Sequence, residues 1–275
     1  MPSRELQLMV NADDFGQSDE TLEATIECFE AGALTSASVM PGMPATERAV
    51  EFARTHPELA FGVHLTLCAE PLWQPLSDPG LVPSLVRPDG TLLSTREVRM
   101  KAMLGRLPAD ELEREIETQI RAVSDAGVPV THIDSHRHLH KLAPVRKALE
   151  RVLPRHGIRR VRAVQDVYLK RPLRSPTYWL GRRWRHSVRN AFETSEHFFM
   201  PSKNDEPWAR PLAAMIEGMA AESLEVGVHP GRAEVWRDRD RTSTLELARC
   251  LPGRVKLVDW RTLTAGAKGQ RWRGR

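Results

Sequence analysis

Short apolar stretches alternate along the chain with amphipathic stretches of helical period, and this alternation predicts the secondary structure. Apolar runs of strand length occur at residues 6–10, 34–40, 59–67, 128 onwards, 158–164, 224–231 and 255–258. Apolar residues at intervals of three or four predict helices at 19–31, 45–56, 108–127, 144–156, 208–221 and 242–250. Because strands and helices alternate, we expect an α/β fold with about seven or eight parallel strands in a barrel-like arrangement.

The stretch 131–140 follows one of these apolar runs and contains four of the ten histidines of the chain. Side chains alternate between the two faces of a strand, so one side would carry five ionisable residues for as long as the strand continues. These residues are His132, Asp134, His136, His138 and His140. Imidazoles beside a carboxylate are typical of a metal site, whereas the alternative is a solvated polar loop with scattered histidines.

Two adjacent carboxylates, Asp13 and Asp14, follow the first apolar strand. Neighbouring carboxylates at the end of a buried strand repel each other and need water, a helix cap or a metal ion. The capping role falls to Ser18 and Asp19, which begin the following helix. Asp13 and Asp14 are therefore available for another function.

Two further strands carry a histidine at or near their ends, His64 and His229. A lone buried histidine is more often a hydrogen-bonded core residue than a ligand. In a parallel barrel, however, the carboxyl ends of all strands meet on one face, so these residues would join Asp13, Asp14 and His136. One carboxylate and two imidazoles suit a catalytic divalent metal, and a second carboxylate can accept a proton.

Length and composition are those of a globular protein with a large core. With 275 residues and 41% hydrophobic content, it can bury the core of one barrel-sized domain or two smaller ones, and no compositional shift marks a boundary. Cys28, Cys68 and Cys250 lie far apart, which indicates neither a disulfide framework nor a thiolate zinc site. Without a signal peptide or an apolar run of about 18 residues, we expect a cytoplasmic protein.

The net charge of +4 is unevenly distributed. Seven basic residues and no acidic one lie between Tyr168 and Phe192, among them Arg174, and four more follow Thr264. Without these eleven, 29 basic residues remain against 36 acidic ones, which argues against a general nucleic-acid binder.

We assign residues 1–263 to a single (β/α)-barrel domain with a long Pro- and Gly-rich loop at 69–97 and a basic insertion at 168–204. We expect the basic tail, 264–275, to be disordered.

Four segments together resemble the YdjC/ChbG-type carbohydrate deacetylases. They are NADDFG at 11–16, GVHL at 62–65, HIDSH at 132–136 and VHPG at 228–231. The resemblance covers residues 6 to about 260 and departs from the family pattern in the basic insertion. It implies an irregular (β/α) barrel that removes acetyl groups from N-acetylated sugars with one divalent metal ion, usually magnesium.

The resemblance also assigns roles to residues. It implies Asp14, His64 and His136 as metal ligands, Asp13 as general base and His229 as general acid. We expect Asp134 to orient a histidine, with a hydrogen bond to backbone as the alternative, and we place His138 and Arg162 among substrate-binding or supporting residues. By ligand chemistry, Zn²⁺ or Mn²⁺ suits one Asp and two His at least as well as Mg²⁺.

Two rival functions stay open at this point. A metal-dependent phosphoesterase could use the same Asp and His residues, although such sites often hold two or three metals. A glycan-binding or membrane-surface module with a decayed site is the other alternative, but the intact acidic and histidine set counts against decay. The sequence leaves open the sugar, which could belong to an oligosaccharide or a glycolipid, and whether the protein forms a homodimer.

The basic insertion contains an amphipathic helical pattern. From Leu180, apolar residues recur at Trp184, Val188 and Phe192, while arginines fall on other faces. One hypothesis is a packed surface helix with solvated arginines. The other is docking on an anionic membrane surface that presents a lipid-linked substrate, since each basic residue near such a surface contributes about 1 kcal/mol.

Overall fold

The computed structural model describes residues 5–69, 73–173, 175–202 and 206–263 of the chain. Seven parallel strands form one sheet in this described part. They are β1 (Leu6–Phe15), β2 (Ser36–Val39), β3 (Ala60–Leu65), β4 (Val130–Ser135), β5 (His197–Phe199), β6 (Ser223–Val228) and β7 (Val255–Leu257). The strand order is β4-β3-β2-β1-β6-β5, and β7 pairs with the first residues of β1.

Helices connect successive strands, as the alternating sequence pattern predicts. They are α1 (Asp19–Glu30), α2 (Thr46–Thr55), α3 (Thr95–Met103), α4 (Ala109–Ser124), α5 (Ala143–Val152), α6 (Pro176–Ala191), α7 (Ala209–Glu217) and α8 (Val235–Cys250). Short 3-10 turns occur at Pro79–Leu81, His136–Lys141 and Leu153–His156. The predicted irregular (β/α) barrel is confirmed.

The segment 159–167 lies between the two ends of the strand order. The backbone N–H of Arg162 donates to the carbonyl of Ile133 in β4 at 3.0 Å, and that of Val161 donates to Glu193 at 3.1 Å. Only isolated bridges form, so the regular strand predicted at 158–164 is wrong. The segment nevertheless joins the two sides of the barrel and places Arg162 inside it.

Several predicted boundaries need correction. The first strand continues to Phe15, and α8 begins at Val235 rather than at 242. Helix α3 was not predicted, although Ser94 and Glu97 form its capping box within the Pro- and Gly-rich region. The short strand β5 was also missed.

The basic helix α6 packs against the barrel. Val188 is fully buried and Phe192 nearly so, and Trp184 packs partly buried against the same core. The C-terminal part of this apolar face is therefore covered by protein, whereas Leu180 at its other end is 44% exposed. Arg174 and the tail 264–275 lie outside the described residues. Within the described part of the chain, none of the helices combines the length and apolar character needed to cross a membrane.

The close approach of β3 to β4 generates a stability prediction. A Cβ added to Gly62 would lie 2.6 Å from both the ring and the carbonyl oxygen of His132. We expect Gly62→Ala to lower the free energy of unfolding by about 1–3 kcal/mol, because backbone must move. Gly218→Ala, where a Cβ meets open space, should change it by less than about 0.5 kcal/mol. Equal urea midpoints for the two variants would contradict this packing argument.

Candidate active site

An irregularity near the end of β1 brings two adjacent carboxylates to one site. The pairing with β2 shifts register between Ala12 and Phe15, and Asp14 adopts a positive φ of 58°. Regular alternation would turn neighbouring side chains to opposite faces, whereas a left-handed aspartate breaks that alternation. Ser18 caps α1 by accepting from the backbone of Thr21, so neither Asp13 nor Asp14 serves as that cap.

Asp14 meets two histidines from β3 and from the turn after β4. Its Oδ1 lies 3.2 Å from His64 Nε2 and 3.5 Å from His136 Nδ1. The three potential ligand atoms lie within 4.8 Å of one another. Although they are close, Asp14 Oδ1 and His64 Nε2 are buried without a hydrogen-bond partner among the described residues. Buried acceptors that face one another in this way fit a bound cation.

Asp134 fixes the orientation of His64. His64 Nδ1 lies 2.9 Å from Asp134 Oδ1, and the hydroxyl of Ser38 donates to Asp134 Oδ2 at 2.9 Å. The hydrogen bond to Asp134 assigns the proton to Nδ1 and turns the Nε2 lone pair toward Asp14. Burial opposes protonation, but the carboxylates of Asp134 and Asp14 outweigh it and raise the pKa of His64 to about 10. This pocket therefore favours a positive charge at that position.

Arg162 lies fully buried between three carboxylates. Its Nη1 and Nη2 donate to the two oxygens of Asp13 at 2.5 and 2.7 Å, Nε donates to Glu225 at 2.6 Å, and Nη1 lies 2.8 Å from Asp134. Burial would raise the pKa of Asp13, but Arg162 holds it well below the usual range. Burial also raises the pKa of Glu225, to about 7, against the effect of Arg162. Arg162 has no exposed surface, so of the two roles expected for it the supporting one, through Asp13, fits its position.

A second group, formed by Asp13, His64 and Asp134, is also compact enough to hold a metal ion. The guanidinium of Arg162 already contacts both of these carboxylates. Because a guanidinium already occupies the space between them, the group that contains Asp14 is the better candidate for holding an ion.

Buried acids outnumber buried guanidinium groups around the two groups. Arg237 Nη2 donates to Asp14 Oδ2 at 2.7 Å and adds a second buried guanidinium. The acids are Asp13, Asp14, Asp134 and Glu225, and the guanidinium groups belong to Arg162 and Arg237. Buried charges require partners, so the excess of acids and the raised pKa of His64 both indicate that this interior favours a further positive charge beside Asp14.

His229 lies on the other side of Asp13, after β6. Its Nε2 is 3.8 Å from Asp13 Oδ2, and its Nδ1 is 3.6 Å from Asp240 Oδ2. Asp240 also accepts from the backbone N–H of His229 at 3.1 Å and from the indole N–H of Trp208 at 3.0 Å. The structure therefore gives His229 a buried carboxylate neighbour.

These groups line a pocket with a volume of about 470 Å³. Trp73 contacts His136 with ring centroids 5.2 Å apart, and Trp236 contacts His229 at 5.4 Å. Aromatic walls around a few convergent polar groups are typical of small-molecule sites.

The other histidines of 131–140 do not join this group, because the strand ends at Ser135. A 3-10 turn follows, with positive φ at Arg137 and His138, so the predicted alternation stops there. His132 stacks on Trp260 with centroids 4.6 Å apart. His140 bonds to Ser135, and His138 lies at the edge of the pocket.

Sequence reasoning missed Glu225, Arg237 and Asp240. An acid within the apolar run 224–231 is a signal that could have identified Glu225. Arg237 and Asp240 carry no such signal, because they reach the site from helix α8.

The chain resembles known proteins in sequence and in fold. The family described as YdjC-like protein matches residues 7–267. A carbohydrate deacetylase of Geobacillus stearothermophilus is 37% identical over 62% of this chain, which spans only 63% of that relative. A chitooligosaccharide deacetylase of Klebsiella pneumoniae strain 342 is 32% identical over 81% of each chain. A crystal structure from Enterococcus faecalis, of a candidate cellobiose-phosphate cleavage protein, has a TM-score of 0.73 and 22% identity, covering 94% of this chain and 98% of its own. That likeness shows the fold alone.

The buried Arg162 generates a prediction about stability. Arg162→Met would leave three buried carboxylates without their shared cation, so the free energy of unfolding should fall by about 3–5 kcal/mol. Arg160→Met is the matched control, because Arg160 is partly exposed and its ion pair with Glu193 spans 3.6 Å. This control should lose less than about 1 kcal/mol. Urea denaturation measures both, and equal losses would contradict the assigned role of Arg162.

Proposed function

Because this chain belongs to the YdjC-like protein family, we propose that it is a metal-dependent hydrolase that removes the acetyl group from an N-acetylated sugar. The observation that carries the proposal is the convergence of Asp14, His64 and His136 on one point beside Asp13 and His229. The deacetylase names of the relatives supply the substrate class, an acetylated amino sugar. The aromatic walls of the pocket are compatible with a sugar ring.

Hydrolysis of an amide needs a nucleophile, charge at the developing oxyanion and a proton for the leaving nitrogen. Asp14, His64 and His136 would hold a divalent cation, which supplies positive charge at the carbonyl oxygen and makes water more acidic. Asp13 accepts the proton of the attacking water. Because Arg162 lowers its pKa, Asp13 is ionised throughout the neutral range.

His229 would donate the proton to the leaving nitrogen. Its position next to Asp13 places base and acid on the same side of the pocket. Asp240 would help to position the imidazole, because it accepts from the backbone N–H of His229 and its Oδ2 lies 3.6 Å from Nδ1. A histidine positioned by a buried carboxylate, as His229 is by Asp240, also occurs in other hydrolytic sites.

The ligand set bears on the identity of the metal. Two imidazoles with one carboxylate are common for Zn²⁺ and acceptable for Mn²⁺, whereas Mg²⁺ prefers oxygen ligands. Arg237 occupies the second oxygen of Asp14, so this carboxylate offers only one oxygen to a cation. We therefore favour Zn²⁺ or Mn²⁺ over the Mg²⁺ expected from the family.

The rival functions receive less support. A phosphoesterase with several metals needs further ligands, but Arg162 occupies the neighbouring acidic group. A binding module with a decayed site would not require the buried negative charge around Asp14. The membrane hypothesis was based on the basic residues of α6, and the packing of Val188 and Phe192 on the barrel favours its alternative, a packed surface helix, so a freely diffusing sugar is the simpler substrate.

A first experiment tests the metal ligands. We expect His64→Ala and His136→Ala each to lose stoichiometric metal, measured by elemental analysis, and acetate release from N,N′-diacetylchitobiose. His156→Ala is the control, since His156 pairs with Glu117 on the outer helices. Chelation should abolish acetate release, and adding Zn²⁺ or Mn²⁺ should restore it. Full metal content in both ligand variants would refute the assignment.

The variant Asp13→Asn tests whether Asp13 acts as the general base or as a metal ligand. This variant should keep its metal and lose turnover, because the amide cannot accept the proton. Loss of metal from Asp13→Asn would instead make Asp13 a ligand.

A further experiment concerns the acid. His229→Ala should lower kcat by about 10²–10⁴ with unchanged metal content, the usual contribution of general acid catalysis. Asp240→Asn should lower kcat less and leave KM nearly constant, because it changes only the positioning of His229. Asp238→Asn, which alters an exposed carboxylate two residues away, is the control. An unchanged kcat in His229→Ala would remove this residue from the mechanism.

A further inference from the structure

A layer of buried polar side chains from the first four strands adjoins the candidate metal ligands. Ser38 of β2 lies at its centre and has no exposed surface. The hydroxyl of Ser38 donates to Asp134 Oδ2 at 2.9 Å and accepts from Asn11 Nδ2 at 2.9 Å. The same hydroxyl oxygen lies 3.2 Å from His132 Nε2. Because Asn11 and His132 are also fully buried, these polar groups need their partners inside the protein.

The amide of Asn11 determines the role of the Ser38 oxygen. Asn11 Nδ2 also lies 3.1 Å from Asp13 Oδ1, and an ionised carboxylate only accepts hydrogen bonds. The same amide nitrogen faces Ser38, so the Ser38 oxygen accepts a hydrogen bond from it. A hydroxyl has one proton, and Ser38 can therefore donate to Asp134 or to His132 but not to both.

Charge and distance favour Asp134 as the acceptor of that proton. The carboxylate oxygen lies 2.9 Å from Ser38 Oγ, whereas His132 Nε2 lies at 3.2 Å. Hydrogen bonds to a charged acceptor are shorter and stronger than those to a neutral one. Burial, and then the charge of Arg162, hold the pKa of His132 well below its usual range, so its neutral ring carries one proton. With the Ser38 proton directed at Asp134, that ring proton belongs on Nε2, where it can be donated to Ser38.

The other ring nitrogen of His132 favours the opposite tautomer. His132 Nδ1 lies 2.9 Å from Thr131 Oγ1, and the Thr131 hydroxyl donates to the carbonyl of Phe61 at 2.9 Å. This pair alone would place the ring proton on Nδ1. The tautomer of His132 therefore reports whether Ser38 directs its proton to Asp134.

Packing holds the ring of His132 against Ser38. One face of the ring stacks on Trp260, with centroids 4.6 Å apart and an interplanar angle of 12°. Gly62 lies so close that an added Cβ would be 2.6 Å from Nε2. The ring therefore has little freedom to leave the serine.

We propose that His132 and Ser38 form a hydrogen-bond relay that positions Asp134, and through it His64, for metal binding. His132 Nε2–H donates to Ser38, and Ser38 donates to Asp134. Asp134 then accepts from His64 Nδ1, which leaves the His64 Nε2 lone pair directed at Asp14. Ser38 and His132 act through Asp134 and are positioning residues. This inference rests on the metal site of the proposed function and deepens it.

Nitrogen NMR of isotope-labelled histidines tests the direction of the relay, with and without Zn²⁺. We expect the ring proton of His132 on Nε2 in the wild type and on Nδ1 in Ser38→Ala, because Thr131 is then the remaining partner. Loss of packing alone would not move this proton. Ser36→Ala is the matched control, since Ser36 lies on the same strand, is fully buried and has no hydrogen-bond partner for its hydroxyl among the described residues. The control should keep the proton on Nε2, and loss of signals in His132→Gln identifies those of His132.

Zn²⁺ affinity, measured by competition with a chelator, tests the positioning role. Ser38→Ala and His132→Leu should weaken binding by about 10–100-fold, the usual effect of removing a group that orients a metal ligand. His132→Gln, whose amide can still donate to Ser38, and Ser36→Ala should stay within about threefold of the wild type. The two His132 variants provide the test if Ser38→Ala does not fold.

A ring proton on Nδ1 of His132 in the wild type would overturn the proposal. Wild-type Zn²⁺ affinity in both Ser38→Ala and His132→Leu would also overturn it, and so would equal losses in His132→Gln and His132→Leu, which would indicate packing. Failure of the metal site itself is distinguishable, because the wild type would then bind neither Zn²⁺ nor Mn²⁺ although the ring proton of His132 lies on Nε2.

Discussion

The buried guanidinium of Arg162 is the interaction on which the rest of the site depends. Parallel strands bring their carboxyl ends together, and here that convergence places Asp13, Asp134 and Glu225 within reach of one another in the interior. Their mutual repulsion and desolvation would oppose folding without a cation among them. Arg162 supplies it from a segment that makes only isolated bridges, so the irregular closure of the barrel and the acidic site belong to one arrangement.

The same interaction makes two neighbouring carboxylates different. Asp13 receives a bidentate guanidinium, whereas Asp14 shares one oxygen with Arg237 and directs the other at two imidazoles. In the proposed function, environment rather than residue type therefore separates the proton acceptor from the metal ligand, as it does in other sites with paired carboxylates. The positive φ of Asp14 is the backbone cost of this division, and the surrounding contacts hold it in place.

The apolar runs of the sequence, and the polar residues at their ends, predicted much of the fold and the central residues of the candidate site. Apolar runs located six of the seven described strands, and convergence of parallel ends brought Asp13, Asp14, His64 and His229 together. The predicted alternation of side chains along the strand failed beyond Ser135, because a left-handed turn ends the strand and separates His138 from His136. Arg237 and Asp240 depend on contacts between elements distant in sequence, which local patterns do not encode.

The basic insertion shows how one sequence pattern can serve two physical purposes. Its amphipathic period suggested a surface for membranes, but Val188 and Phe192 use that period to pack on the barrel. Packing in turn positions Trp184 beside Lys141, so the helix whose pattern suggested a membrane surface becomes one wall of a cavity next to the candidate active site.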